Sequence, residues 1–309
     1  MRKVIILTSG RGDLHLLNWL REELTSQFNT SLTSYLPSFD TDITIVLGDR
    51  YETYCMAGEA IRRKHILCHI HGGEISNGSM DNMFRNAITK LSHYHFTATE
   101  ASRDRVIAMG EDPARVMNVG ALGVERVKSL RKYPKKKNQI LVTWHPNTVS
   151  DKTDEETDIV LSTLSELDCG IVFCMPNLDP EHEFIRDKII VFCTGDPHWV
   201  YYEDIGDNYI EEMEQSLAVV GNSSSGIIEA PSCGTITINI GDRQSGRECG
   251  IGIIDVPVDR DEIISSIKYF TENNISINQN NPYDKPGTRK AISDFLLDCD
   301  LTFAKTFYG

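Results

Sequence analysis

The chain has no C-x-x-C pair, no H-x-x-x-H on a helical stretch, no G-x-S-x-G and no apolar run long enough to span a membrane. Each absence removes a class of function. The eight cysteines stand singly along the sequence, so neither a zinc site nor a disulfide framework is indicated, and reduced thiols in a cytosol are the expectation. Without a nucleophile elbow and its triad, an esterase is not indicated. The first apolar run, VIIL at 4–7, falls far short of a signal-peptide core and reads as a buried first strand. Basic residues are outnumbered too: 31 Lys and Arg against 45 Asp and Glu leave a formal charge of −14. That balance excludes broad binding to nucleic acid or anionic membranes, while leaving room for a local basic cleft.

What is present is a succession of short apolar runs: VIIL, ITIVL at 43–47, ILCHI at 66–70, HFTAT at 95–99, ILVTW, GIVFCM, IIVFC at 189–193, LAVVG and TITINI. Helix-length polar or amphipathic stretches separate them, the pattern of parallel α/β layers. At 309 residues two domains are expected. The break is placed at Pro134, between a helical stretch and the run KKK at 135–137, which reads as a solvated linker. This gives domains at 1–133 and 134–287 and a closing helix at 288–309 that packs back across them. The stretch from Ser150, SDKTDEETDIVLSTLSEL, reads as an exposed helix begun by a good capping residue.

Polar islands follow several of these runs. TSGRGD at 8–13 would set backbone amides and Arg11 where an anion sits, and reads equally as an ordinary strand-to-helix turn. GDRYE at 48–52 brings Asp49 and Arg50 to the carboxyl end of a strand, as ligand groups or as a structural pair. In HIHGGE at 69–74 two glycines let backbone approach a ligand while His71 and Glu74 reach the same rim. Asp81 and Arg85 share a face if helical. Asp49, Glu74 and Asp81 can therefore converge, and crowding would push their pKa values apart into acid and base roles. His65, His69, His93 and His95 lie on or beside apolar strands and read as packing residues. In the second half, His145 ends a strand in TWHPNT, where it could contact a diphosphate. GNSSSG at 221–226 sets hydroxyls at the start of a helix that carries Glu229. That is a phosphate cradle without a lysine, or a serine-rich N-cap.

Together these islands resemble the hydrolysing UDP-N-acetylglucosamine 2-epimerases of sialic-acid biosynthesis. The carrying residues are GDRYE, HIHGGE, the run from Asp81 to Phe96, NVGALGVE at 118–125, WHPNT, MPNLD at 175–179, GNSSSGIIEAPS and NIGDRQSGRE at 239–248. The resemblance implies two Rossmann-like domains of glycosyltransferase-B type facing across a cleft, with UDP held mainly by the second. It implies a homodimer or homotetramer in the cytoplasm and no metal or nicotinamide cofactor. On matching positions, His145, Ser223 and Ser224 would contact the diphosphate, Glu229 the ribose, and Arg11, Arg50, Arg243, Gln244 and Arg247 the anionic region or its ordering loop. Arg85 and Asn177 join the substrate side, and Asp49, Glu74 and Asp81 carry acid and base roles. The implied reaction removes the C2 proton, expels UDP and hydrates the resulting 2-acetamidoglucal to N-acetylmannosamine.

The chain departs from that family between Leu24 and the GDR strand. About 20 residues connect them, TSQFNTSLTSYLPSFDTDIT, where relatives usually carry roughly two more strands. An exposed sheet edge, an altered substrate or lost turnover is the expected consequence. Alternatives therefore remain: an epimerase acting on a UDP-2,4-diacetamido-trideoxyhexose, a non-catalytic UDP-sugar binder, or a glycosyltransferase on the same fold.

Overall fold

The computed structural model describes residues 1–37, 41–132, 135–206, 208–272 and 280–308. Pro134 and the asparagine-rich 273–279 lie outside the described residues, as does the side chain of Arg11. The chain divides into two compact units: Met1–Ile75, Met80–Arg126 and Tyr283–Gly309 form the first, and Ser76–Ser79 with Val127–Pro282 form the second.

Unit 1 runs β1 (Lys3–Leu7), α1 (Arg11–Leu24), β2 (Asn29–Thr33), β3 (Ile43–Leu47), α2 (Tyr51–Arg62), β4 (Ile66–Ile70), α3 (Asp81–Leu91), β5 (Tyr94–Thr97), α4 (Glu100–Ala108) and β6 (Val116–Asn118). Its parallel sheet has the order β2-β1-β3-β4-β5-β6. The central strands are buried on both faces, which is why they read as unbroken apolar runs instead of alternating ones. Leu17, Leu20 and Leu24 lie on one stripe of α1 and are fully buried, each contributing about 1.5–3 kcal/mol of burial. The helix α5 (Leu122–Leu130) spans the boundary between the units.

The short connection after α1 holds a strand that the sequence reading did not see. β2 pairs with β1 from Lys3 opposite Asn29 to Leu7 opposite Thr33. The segment NTSLT is polar because this edge strand is only partly covered, so it lacks the apolar signature of its neighbours.

Unit 2 runs β7 (Gln139–Thr143), α6 (Thr153–Leu164), β8 (Gly170–Cys174), α7 (His182–Phe192), β9 (Trp199–Tyr202), α8 (Asn208–Gln215), β10 (Ala218–Gly221), α9 (Ser224–Ile228), α10 (Ala230–Cys233), β11 (Ile236–Ile240), β12 (Ile253–Val256) and α11 (Arg260–Glu272). Its sheet is parallel, with the order β12-β11-β10-β7-β8-β9. The helix α12 (Thr288–Asp298) belongs to unit 1, where Ile292 and Leu296 pack with Leu17 and Leu20.

Two local expectations are corrected here. IIVFC is not a strand: Ile189–Phe192 form the last turn of α7, because Ile185 and Ile189 are one helical turn apart and both fully buried. The strand is the following WVYY. The acidic helix α6 also starts later than its expected cap, with Lys152 at the N-cap and no side-chain capping bond.

Both sheets reverse strand order beside their first strand, between β1 and β3 and between β7 and β10. Such switch points open a crevice at the carboxyl edge, where ligands of open α/β sheets bind. All the polar islands fall at this edge of one sheet or the other.

Candidate active site

In unit 1 the switch point is framed by the turns after β1 and β3. The Arg50 guanidinium lies against the Gly10 backbone, so a Cβ at Gly10 would sit 3.0 Å from its Nη1. Asp13, on the first turn of α1, accepts a hydrogen bond from Ser9 Oγ at 2.8 Å. Burial pushes the Asp13 carboxyl above its ordinary value, opposed by Arg50, Ser9 and His71 and reinforced by Asp49.

The turn after β4 is shaped by its glycines. Gly73 has φ 77°, and a Cβ there would stand 2.2 Å from Ser102 O, so only glycine fits. His71 takes φ 68°, a conformation that a side chain with a Cβ seldom adopts and that clusters at functional sites. Its Nδ1 lies 2.5 Å from Glu74 Oε1. Arg85, 1% exposed in α3, reaches back to tie the neighbouring turns together. It donates to Glu74 O at 2.9 Å, to Asn82 Oδ1 at 3.1 Å, and to the Asp49 carboxylate. Asp81 opens α3 one turn before Arg85 and is half-buried.

The strand histidines are part of the core. His65 bonds Thr44, His69 bonds Thr89 and Gly48 O, and His93 accepts from Leu67 N. Burial drives His69 down to about 3, so it stays neutral. His95 pairs with the buried Glu111.

In unit 2 the switch point is framed by the turns after β7 and β10. Asn222 joins them: its Oδ1 accepts from His145 N at 2.8 Å, and its Nδ2 donates to His145 O at 2.9 Å. Gln244 and Arg243 both donate to Asn222 O, at 2.9 and 3.4 Å. Arg247 donates to Gln244 Oε1 at 2.8 Å. The GDRQSGR loop is thus laced onto the serine turn. Asp179 stands 3.5 Å from Arg243 Nη2 and 4.0 Å from His145 Nδ1. Asn177, two residues earlier, is half-buried.

Ser223 caps α9 by position without a side-chain bond to its backbone, and its Oγ lies 3.0 Å from Ser225 Oγ. Ser225 is tied in turn to the hydroxyl of the half-buried Tyr209 at 2.6 Å. Ser223, Ser224 and Glu229 are half-buried along this turn. Sequence reasoning passed over Asn222 and Tyr209, although Asn222 sits inside a motif it quoted. Among the described residues there is no cluster of three or more His, Cys, Asp or Glu able to hold a metal ion, and no helix long and apolar enough to cross a membrane.

Two doubly wound parallel units with polar residues at their switch points define an α/β protein of the open-sheet class, in which ligands bind at the strand ends. Residues 20–297 match the family described as UDP-N-acetylglucosamine 2-epimerase, and the chain belongs to that family. It is 36% identical over 287 residues to the polysialic acid biosynthesis protein P7 of Escherichia coli, covering 86% of this chain and 73% of that protein. It is 34% identical over 250 residues to the GDP/UDP-N,N'-diacetylbacillosamine 2-epimerase (hydrolyzing) of Campylobacter jejuni. That match covers 75% of this chain, which spans 65% of the Campylobacter protein's length. The fold is shared with Methanocaldococcus jannaschii UDP-GlcNAc 2-epimerase in complex with UDP-GlcNAc and UDP: the TM-score is 0.77 at 15% identity, covering 96% of this chain and 99% of that one.

Proposed function

We propose that this epimerase-family protein is of the hydrolysing type, converting UDP-N-acetylglucosamine to N-acetylmannosamine and UDP for a sialic-acid type of sugar. One observation carries the reading: a single buried cation, Arg85, holds both Asp49 and the turn bearing Glu74 and His71. A C2–H bond is a weak acid, so its removal needs a positioned base together with stabilisation of the leaving diphosphate. The base takes the C2 proton, the C–H pair becomes the C1–C2 double bond, and UDP leaves from C1 with the C1–O pair. Water then adds hydroxide to C1 and a proton to C2.

In this reading Asp49, Glu74 and Asp81 supply the acid and base machinery, and Arg11 and Arg50 face the departing charge. His145, Ser223 and Ser224 receive the diphosphate, Glu229 the ribose, and Arg243, Gln244 and Arg247 order the loop over it. The lacing of Gln244 and Arg243 onto Asn222 O supports that division. Arg85 and Asn177 complete the substrate side. Assembly as a cytoplasmic homodimer or homotetramer belongs to the same proposal.

A second donor is favoured by one specific observation. The Campylobacter relative named for a diacetylated sugar is 34% identical to this chain, and C2 chemistry tolerates change at C4 and C6. Proton NMR in deuterated water, with UDP-N-acetylglucosamine and then with UDP-2,4-diacetamido-trideoxyhexose, separates the two. Free UDP with a mannosamine-type product carrying deuterium at C2 is expected from one donor. UDP binding with no turnover of either donor would overturn the hydrolysing reading.

A further inference from the structure

We infer that His71 is the group that takes the C2 proton, and that Glu74 is a positioning residue acting through it. The inference rests on the epimerase reading and reassigns a role within it.

Glu74 is 5% exposed, and its Oε1 is directed at His71 Nδ1. A carboxylate can only accept there, so Nδ1 carries the hydrogen and the Nε2 lone pair is left as the basic position. Nε2 is buried and has no hydrogen-bond partner among the described residues. A buried imidazole nitrogen without a partner is costly, and so is the left-handed backbone of a histidine. Both fall on one residue, at the carboxyl edge of β4. Arg85 fixes the turn by donating to Glu74 O, so the pair is pre-set instead of assembled on binding.

The groups facing the imidazole complete the argument. Glu74 lies on its own turn, Asp13 comes from α1, and Arg50 and Asp49 flank Asp13 from the turn after β3. Glu74 stabilises the imidazolium that forms when the proton arrives, as an orienting carboxylate does for a general base. The C2–H proton goes to Nε2, its electron pair closes the double bond, and the C1–O pair leaves with UDP. The proton then passes to solvent. The opposite face of C2 is protonated during hydration, as inversion requires, so a different group serves that step.

The test compares wild type, His71→Gln and Glu74→Gln in two half-reactions: UDP release from the donor that wild type consumes, and hydration of synthetic 2-acetamidoglucal in the presence of UDP. His71→Gln should slow UDP release about 100-fold or more, while UDP affinity and glucal hydration stay within threefold. Glu74→Gln should keep measurable turnover with the acid limb of kcat/KM moved to lower pH, because loss of a neighbouring carboxylate disfavours the imidazolium. A merely structural pair would not move that limb. UDP release within threefold of wild type in His71→Gln, or an unmoved limb in Glu74→Gln, overturns the assignment. If His71→Gln proves unfolded by circular dichroism, the Glu74→Gln profile decides alone. If wild type releases no UDP from either donor, the epimerase reading itself fails, and no variant enters that judgement.

Discussion

Glu111→Gln should cost unit 1 about 3 kcal/mol at neutral pH, and the cost should fade in acid. Glu111 is 2% exposed. It receives Lys90 Nζ at 2.7 Å, Lys305 Nζ at 2.7 Å and His95 Nε2 at 3.2 Å. Burial alone would raise its pKa; the hydrogen bonds from His95, Lys305 and Lys90 outweigh burial and hold the carboxyl at about 2, from 4.5. A separation of about 2.5 units at about 1.36 kcal/mol each is about 3.4 kcal/mol. Because the folded value is the depressed one, this stabilisation is complete above 4.5 and is lost as pH falls towards 2. Roughly 1.4 kcal/mol should remain at pH 3. Burial pushes His95 down, which favours its neutral form beside Glu111. The assay is urea unfolding between pH 7 and 3, followed through Trp19, with Trp144 and Trp199 replaced by phenylalanine in both proteins. Trp19 reports unit 1 alone. Equal midpoints at pH 7, or a gap that stays constant down to pH 3, would refute the reasoning. The cluster matters to the site because Lys305 also donates to Lys90 O and Ser92 O. It thereby fastens the C-terminal tail to the end of α3, the helix whose other end presents Asp81 and Arg85.

Arg85→Met should destabilise unit 1 by about 1.5–3 kcal/mol, as the charge-assisted bond to the half-buried Asp49 carboxylate and the bond to Glu74 O are lost, and should abolish turnover; a wild-type unfolding midpoint would contradict the clamp. Ser223→Ala combined with Ser224→Ala should raise the UDP dissociation constant at least tenfold, or about 1.4 kcal/mol, by calorimetry, with unfolding unchanged; equal affinity would remove these hydroxyls from the cradle. Gly221→Ala should weaken both stability and UDP binding, since φ is 131° and the added Cβ would meet Thr143 O at 2.1 Å; a neutral result in thermal unfolding would show that β7 and β10 can separate at no cost. Asp81→Asn should lose turnover while UDP affinity persists, and wild-type turnover would strike Asp81 from the catalytic group.

The strands buried on both faces were legible because burial on two faces forces continuous apolar sequence, as in VIIL, ITIVL and ILCHI. The same rule explains both misreadings. β2 is an edge strand with partial cover, so NTSLT needs no apolar run. IIVFC has one, yet its length and apolarity suit a helix face as well as a strand, and periodicity over five residues does not separate them. Arg186, Asp187 and Lys188 just before it decide the matter, by placing Ile185 and Ile189 on one buried stripe with charge on the other side.

The site was legible as islands and illegible as a network. Residues after a strand in a parallel sheet must reach the carboxyl edge, so Asp49, His71, Glu74, His145 and Ser223 could be placed from strand order alone. Who touches whom depends on backbone turns and on long side chains returning from helices, and no spacing rule encodes either. Spacing places Asp81 and Arg85 on one helix, as α3 has them; what it does not show is that Arg85 also donates to the Asp49 carboxylate and to Glu74 O. Spacing likewise places Glu74 on the rim beside His71; what it does not show is that Glu74 Oε1 pairs with His71 Nδ1. Asn222 is passed over inside the serine turn; folded, its side-chain amide makes both hydrogen bonds to the backbone of His145, and its backbone carbonyl receives Arg243 and Gln244. In each case a side chain or turn offered for chemistry is held by a second group of the same site. Substitutions at the residues that hold, Arg85, Glu74 and Asn222, should therefore change turnover or UDP affinity through the geometry of their partners.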